Sequence, residues 1–110
     1  MAVLPRKRPL RIFRRNSANP LIGIGLTADS YNAPSYGWET LSLFMRLAQA
    51  GTLEVYQRMR SDSTYVMTDQ YIFAAAGVLR DTVQVTGEHV RVLFTNGGVA
   101  QKPEIVATLA

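Results

Sequence analysis

The fold is decided by a stretch of strict alternation at residues 51–58, GTLEVYQR. Leu53, Val55 and Gln57 fall on one side of an extended chain, and the residues between them fall on the other side. A period of two residues is typical of a β-strand that buries one face. The stretch therefore predicts a strand with an apolar side directed at a core.

Short runs of the same kind recur along the chain from Leu21, separated by Gly, Pro, Asn, Asp and Ser. The clearest are Leu21–Thr27, Tyr65–Phe73, Val90–Phe94 and Glu104–Leu109, and Val83 and Val85 indicate one more. This spacing is typical of an all-β sandwich. We predict a single antiparallel β-sandwich of the jelly-roll type with about seven or eight strands.

Residues 38–50 fit two kinds of element. Leu41, Leu43, Met45 and Leu47 lie on one face of a strand, but a helix would also have an apolar stripe. We prefer a strand, because residues 51–58 are strongly β and an antiparallel partner needs only a short connection. The two strands would then form a hairpin closed at residues 49–51.

A second turn is predicted at Asn96-Gly97-Gly98, where glycine can supply the positive φ angles of a tight loop.

Charge divides the chain into two parts. The first carboxylate is Asp29, and residues 1–28 hold six basic residues, whereas the rest of the chain holds six basic and eight acidic residues, a net charge of −2. We predict a basic N-terminal arm at residues 1–20 and a sandwich domain at residues 21–110. Basic and apolar side chains interleave in the arm, and its candidate assembly residues are Arg6, Lys7, Arg8, Leu10, Arg11, Ile12, Phe13, Arg14 and Arg15.

Three roles are open to this arm: a solvated tail, a contact with nucleic acid, or a strap on a neighbouring subunit. Charge alone is enough for nucleic-acid binding. The apolar residues Leu10, Ile12 and Phe13 favour the strap, because they could add a strand to another sheet or lie in a groove.

No stretch of the sequence has the spacing of a catalytic or metal-binding motif. The letters GIGLTA at residues 23–28 resemble a dinucleotide fingerprint, but Pro34 and Gly37 lie where its helix would start. His89 has no neighbouring nucleophile or acid in the sequence, and Asp62 and Asp69 lack the ligand spacing of a calcium loop. We expect no catalytic residue, no metal and no cofactor.

The chain has no cysteine, so disulfides and thiolate metal sites are excluded. It also has no stretch of about 18 apolar residues, and we expect no membrane partner.

Aromatic residues surround one Pro/Gly loop. Tyr31, Tyr36 and Trp38 form a candidate recognition loop for a sugar or a receptor, although such residues often pack at the edges of a core. Arg91, on the outer face of its own strand, is expected to pair with Glu54 or Glu88 at the surface.

Two segments resemble a β-sandwich domain of tailed-bacteriophage virion proteins. They are AGTLEV at residues 50–55 and VTGEHVRVLFTNGGVAQ at residues 85–101. The resemblance covers roughly residues 38–110. It departs from the family pattern at Ser61-Asp62-Ser63, where Ser-Asp-Gly is expected, and in the basic arm.

The resemblance implies a non-enzymatic structural protein of the virion. It would be a head decoration (cement) protein, or alternatively a tail or connector component. The implied partners are the major capsid protein or further copies of the same chain in a homo-oligomer. A carbohydrate- or receptor-binding sandwich module is a further alternative.

Overall fold

Two antiparallel β-sheets form the protein in a computed structural model, which describes residues 8–30, 32–60 and 64–110. The described residues contain no helix. The strands in chain order are β1 (Leu10–Arg15), β2 (Thr27–Asp29), β3 (Ala33–Pro34), β4 (Thr40–Leu47), β5 (Gly51–Arg58), β6 (Val66–Phe73), β7 (Gly77–Gln84), β8 (His89–Asn96) and β9 (Glu104–Leu109).

The first sheet has the order β1-β9-β4-β7, and the second has the order β2-β8-β5-β6 with β3 also paired to β8. All pairs are antiparallel. The predicted all-β sandwich is therefore confirmed.

The core lies between the two sheets and follows the alternation in the sequence. Along β5 the odd-numbered residues are buried and the even-numbered ones are half-buried. The opposing strand β4 buries Leu41, Leu43, Met45 and Leu47. Facing rows of this kind make up the interior of a sandwich, and they fix the register of each strand, since a shift by one residue would expose the whole row.

Residues 38–50 contain strand β4, so the preferred strand is confirmed and the helix is not formed. The predicted hairpin between β4 and β5 is wrong, however. β4 pairs with β7 and β9, whereas β5 pairs with β6 and β8. Residues 48–50 therefore form an arch from one sheet to the other, because both strands direct their apolar side at the same interior.

The buried side chain of Gln101 holds this arch. Its Oε1 accepts hydrogen bonds from the backbone N–H groups of Ala48 and Gln49, each 3.1 Å, and its Nε2 donates to the carbonyl of Ala50 at 3.0 Å. A fourth bond, 2.8 Å long, runs from Nε2 to Oδ1 of Asn96, which is also buried. Buried backbone groups need such partners when no ladder serves them.

The glycines of residues 96–98 do not adopt the positive φ predicted for them. Positive φ occurs at Gly25 and Gly37 instead, at 72° and 86°. At Gly98 the constraint is close approach, because a Cβ there would lie 3.1 Å from the Cβ of Gln49. The glycine lets the β8–β9 connection pack against the arch.

Part of the predicted arm belongs to the sandwich. Leu10–Arg15 forms β1, which pairs with β9 of the same chain. Phe13 is buried in the core and Ile12 packs against it. Two of the three apolar side chains that suggested a strap, Ile12 and Phe13, are therefore used within the chain, whereas Leu10 is 45% exposed.

The arch gives a stability prediction. Replacing Gln101→Leu removes all four hydrogen bonds and takes their side-chain acceptor from the backbone N–H groups of Ala48 and Gln49, whereas the carbonyl of Ala50 keeps its bond from the N–H of Gly97. We expect the free energy of unfolding to fall by about 2–4 kcal/mol, measured by urea denaturation. Gln49→Leu, at an exposed side chain on the same arch, is the control and should change it by less than about 0.5 kcal/mol. Equal unfolding midpoints for the two variants would contradict this role of Gln101.

Candidate assembly surface

The β6–β7 edge, defined as residues 66–84, is one side of the sandwich and ends in its longest edge strands. β6 is the last strand of the second sheet and β7 is the last strand of the first. Each strand has eight residues and pairs with one neighbouring strand among the described residues. The other side of each strand has no strand partner there, although the carbonyl of Gln84 accepts a hydrogen bond from Gln57, and such an edge can pair with another chain.

Apolar side chains accompany these free backbone groups. Ile72 is 70% exposed and Met67 is 44% exposed, and both belong to β6. Val66, on the same strand, and Val78, on β7, are also exposed. A long edge with exposed apolar residues is a surface that proteins usually protect with charge or proline. β6 carries one carboxylate, Asp69, and no proline.

A hydrogen bond fixes the distance between the two open strands. The hydroxyl of Tyr71 on β6 donates to Oδ2 of Asp81 on β7 at 2.6 Å. Burial raises the pKa of Tyr71 above the usual value, and the bond to the carboxylate raises it further. The same bond and the backbone N–H of Thr82 lower the pKa of Asp81.

The connection between the two strands is also constrained. The ring of Phe73 lies over Gly77, where a Cβ would come within 2.6 Å of the ring. Phe73 packs against the core from the end of β6. The connection from β6 to β7 therefore passes from one sheet to the other with no room for a side chain at residue 77.

At the other end of the edge, Gln57 joins three strands. Its Nε2 donates to Oγ1 of Thr68 on β6 and to the carbonyl of Gln84 on β7, each at 3.1 Å. Its Oε1 accepts from the backbone N–H groups of Thr86 and Gly87 at 2.7 and 3.2 Å. Gln57 is itself buried on β5. Contacts within the chain thus hold both ends of the β6–β7 edge: Phe73 packs at one end, and Gln57 forms hydrogen bonds at the other.

The candidate arm residues are divided by the structure. Arg6 and Lys7 lie outside the described residues, and Arg8 is exposed ahead of β1. Arg11 and Arg14 are exposed on β1, and Arg15 donates from Nη2 to the carbonyl of Pro20 at 3.0 Å.

Two residues of the candidate recognition loop are described, and they differ in burial. Tyr36 is 77% exposed, whereas Trp38 is partly buried and packs against the core. Tyr31 lies outside the described residues. A recognition role for this loop stays a prediction.

The expected pairing of Arg91 with Glu54 or Glu88 is wrong. Arg91 forms a salt bridge with Asp29 on the neighbouring strand, and its Nε lies 2.7 Å from the carboxylate. This bond raises the pKa of the guanidinium. Glu54 instead accepts a hydrogen bond of 3.1 Å from Gln70.

His89 lies at the start of β8, directly opposite Arg58 on β5. Its Nδ1 is buried and has no hydrogen-bond partner. Across residues 8–30, 32–60 and 64–110, no three His, Asp or Glu side chains come together as metal ligands. Asp62 lies outside these ranges.

No helix in the described part of the chain could cross a membrane.

Neither a protein-family model nor a curated protein sequence matches the chain. The fold defines the class as an all-β antiparallel sandwich, in which β6 and β7 are the edge strands at one side and β1 and β2 are edge strands at the other.

Sequence reasoning identified β6 as a strand but missed its position. The alternation of residues 65–73 gives the strand itself. Only the sheet order shows that the strand lies at an edge. Alternation alone places Met67 and Ile72 on opposite faces, because they are five residues apart. The register shift between Val55 and Tyr56 brings them opposite Tyr56 and Thr52, on the same side, and the sequence does not reveal that shift.

The bond between the two open strands gives a pH prediction. The lowered pKa of Asp81 means that the bond stabilises the fold above the ordinary pKa of about 4 and that this contribution is lost as the pH falls through the lowered pKa. Tyr71→Phe should therefore lower the urea midpoint at pH 7 and have a smaller effect at pH 2.

The control is the same change in an Asp81→Asn background, where removing the hydroxyl should have little effect at either pH. An effect of Tyr71→Phe that is equal at pH 7 and pH 2 would show that the hydroxyl acts independently of the carboxylate.

Proposed function

We propose that the protein is a non-enzymatic structural protein of a tailed-bacteriophage particle, in which it serves as a head decoration (cement) protein. The β6–β7 edge is the observation that carries this proposal, because free backbone groups and exposed apolar side chains together suit a protein that adds to a lattice. The resemblance of residues 50–55 and 85–101 to virion sandwich domains supports the same role.

The occupant proposed for the edge is a second copy of this chain. Two β6 strands can pair antiparallel about a two-fold axis, which makes the interface self-complementary. An axis through Gln70 brings Asp69 opposite Tyr71 of the second copy, so that no two carboxylates face each other. Such a pair extends the second sheet across both copies and covers the exposed apolar side chains.

Charge also favours this arrangement. β6 has a single charged residue, Asp69. Like charges directly opposite each other destabilise a strand pair, and the axis through Gln70 avoids this contact. The apolar residues Met67 and Ile72 then lie within the pair and lose their contact with water, which is favourable at roughly 25 cal/mol per Å².

The oligomeric state tests the proposed contact. In sedimentation velocity, we expect the wild-type chain to associate as concentration rises and Ile72→Lys to remain monomeric, because the substitution places a charge in the pair. The matched control is Val99→Lys, since Val99 is 63% exposed and lies outside the edge. This variant should associate as the wild type does.

A wild-type chain that stays monomeric up to about 1 mM would contradict the self-pairing. Equal association by Ile72→Lys and wild type would contradict the position of the contact.

The location in a particle tests the wider proposal. We expect the chain, tagged at its natural locus, to sediment with intact particles in a density gradient and to be present there in many copies by quantitative mass spectrometry. A few copies per particle would instead indicate a tail or connector component. A chain found only in the soluble fraction would contradict a virion role altogether.

A further inference from the structure

The outer face of the first sheet carries a row of side chains that the proposed pairing of β6 strands does not use. Strand pairing sets Arg14 opposite Val106, Val106 opposite Phe44, and Phe44 opposite Arg80. The row crosses all four strands of the sheet in one line. It forms what we call the basic face, completed by Arg11 and Arg46.

Arginine dominates this face. Arg11, Arg14, Arg46 and Arg80 are all exposed. The strands of this sheet are described throughout, and their outward positions include one carboxylate, Glu104. Its Oε2 lies 3.5 Å from Nη1 of Arg46, with both side chains well exposed. A pair exposed to that degree is weak, so the face keeps a clear positive charge although residues 29–110 are net negative.

An aromatic ring lies at the middle of the positive charge. The guanidinium carbons of Arg80 and Arg46 lie 5.5 and 6.0 Å from the centroid of the Phe44 ring. Phe44 is half-buried and is held between β7 and β9. The ring is thus fixed by the sheet, whereas the two arginines around it are long side chains that can turn towards a ligand.

We propose that the basic face binds single-stranded nucleic acid. The arginines would neutralise successive phosphates, and one base would stack on Phe44. A sheet surface with an aromatic ring is a common platform for unpaired bases, and surrounding arginine adds charge and stacking. The ring distinguishes this ligand from an acidic protein, which needs the charge but offers no base to stack.

This inference does not depend on the virion role, because the basic face belongs to the first sheet, whereas the proposed self-pairing uses β6 of the second sheet. Ile72 on the edge belongs to the second sheet and is paired with Thr52. Failure of self-association would leave nucleic-acid binding unaffected, and the reverse is equally true.

Binding is measured by fluorescence anisotropy with a labelled oligo-dT of about 16 nucleotides. For single strands the logarithm of affinity falls by about 0.7 per phosphate neutralised for each tenfold rise in salt. Four arginines therefore predict roughly a 50-fold loss of affinity between 50 and 200 mM salt.

Two variants separate charge from stacking. The triple variant Arg14→Gln, Arg46→Gln, Arg80→Gln should weaken binding at 50 mM salt by about tenfold or more and reduce the salt slope by about 2. Phe44→Leu should weaken binding by about tenfold and leave the salt slope unchanged. Arg60→Gln, at an exposed arginine in the β5–β6 connection, is the control and should bind as the wild type does.

Circular dichroism and urea unfolding confirm that each variant is folded before its affinity is compared. Wild-type affinity in the folded triple variant would overturn the proposal. So would polyglutamate competing better than oligo-dT, which would identify the face as a site for an acidic protein. Duplex DNA binding as tightly as oligo-dT, with no loss in Phe44→Leu, would overturn the stacking step and with it the single-strand assignment.

Discussion

Buried amide side chains determine how this sandwich is built. The two sheets share one apolar interior, so the chain must cross between them, and each crossing leaves backbone groups without a ladder partner. Gln101 provides those partners at the β4–β5 arch, and Gln57 provides them where β7 leaves the first sheet. Removing either amide would take a side-chain partner from several part-buried backbone groups at once, and each group left unsatisfied costs about 1–3 kcal/mol.

Contacts within the chain hold the β6–β7 edge in position. Gln57 and the Tyr71–Asp81 bond fix β6 and β7, and no strand lies beyond them in the described part of the chain. At the other side of the sandwich, β1 pairs with β9, and Phe13 from β1 is buried in the core. β1 is itself an edge strand, but it has six residues, whereas β6 and β7 have eight each.

The sequence predicted the class of fold because the period of two residues is strong in β4, β5, β8 and β9, each buried on one face. It did not predict which strands are neighbours. The connection between β4 and β5 is as short as that of a hairpin, so its length does not distinguish a hairpin from an arch between sheets. The structure shows an arch, because Leu43 and Leu53 lie in opposite sheets and are buried in the same interior. The β6–β7 edge was missed for a similar reason, since alternation in Val66–Phe73 is the same at an edge as in the centre of a sheet. The positive charge of the arm can be read from the sequence. That Arg11 and Arg14 lie on one face with Arg46 and Arg80 depends on the strand register.

The central claim is that β6 becomes an interior strand when copies of the chain associate. Hydrogen–deuterium exchange measures this directly, because a backbone N–H that gains a partner exchanges more slowly. We predict that amides of Val66–Phe73 become protected as the protein concentration is raised through the association range, while amides of residues 97–100 are unchanged. Exchange in Val66–Phe73 that is the same in the monomer and in the assembled protein would contradict the account.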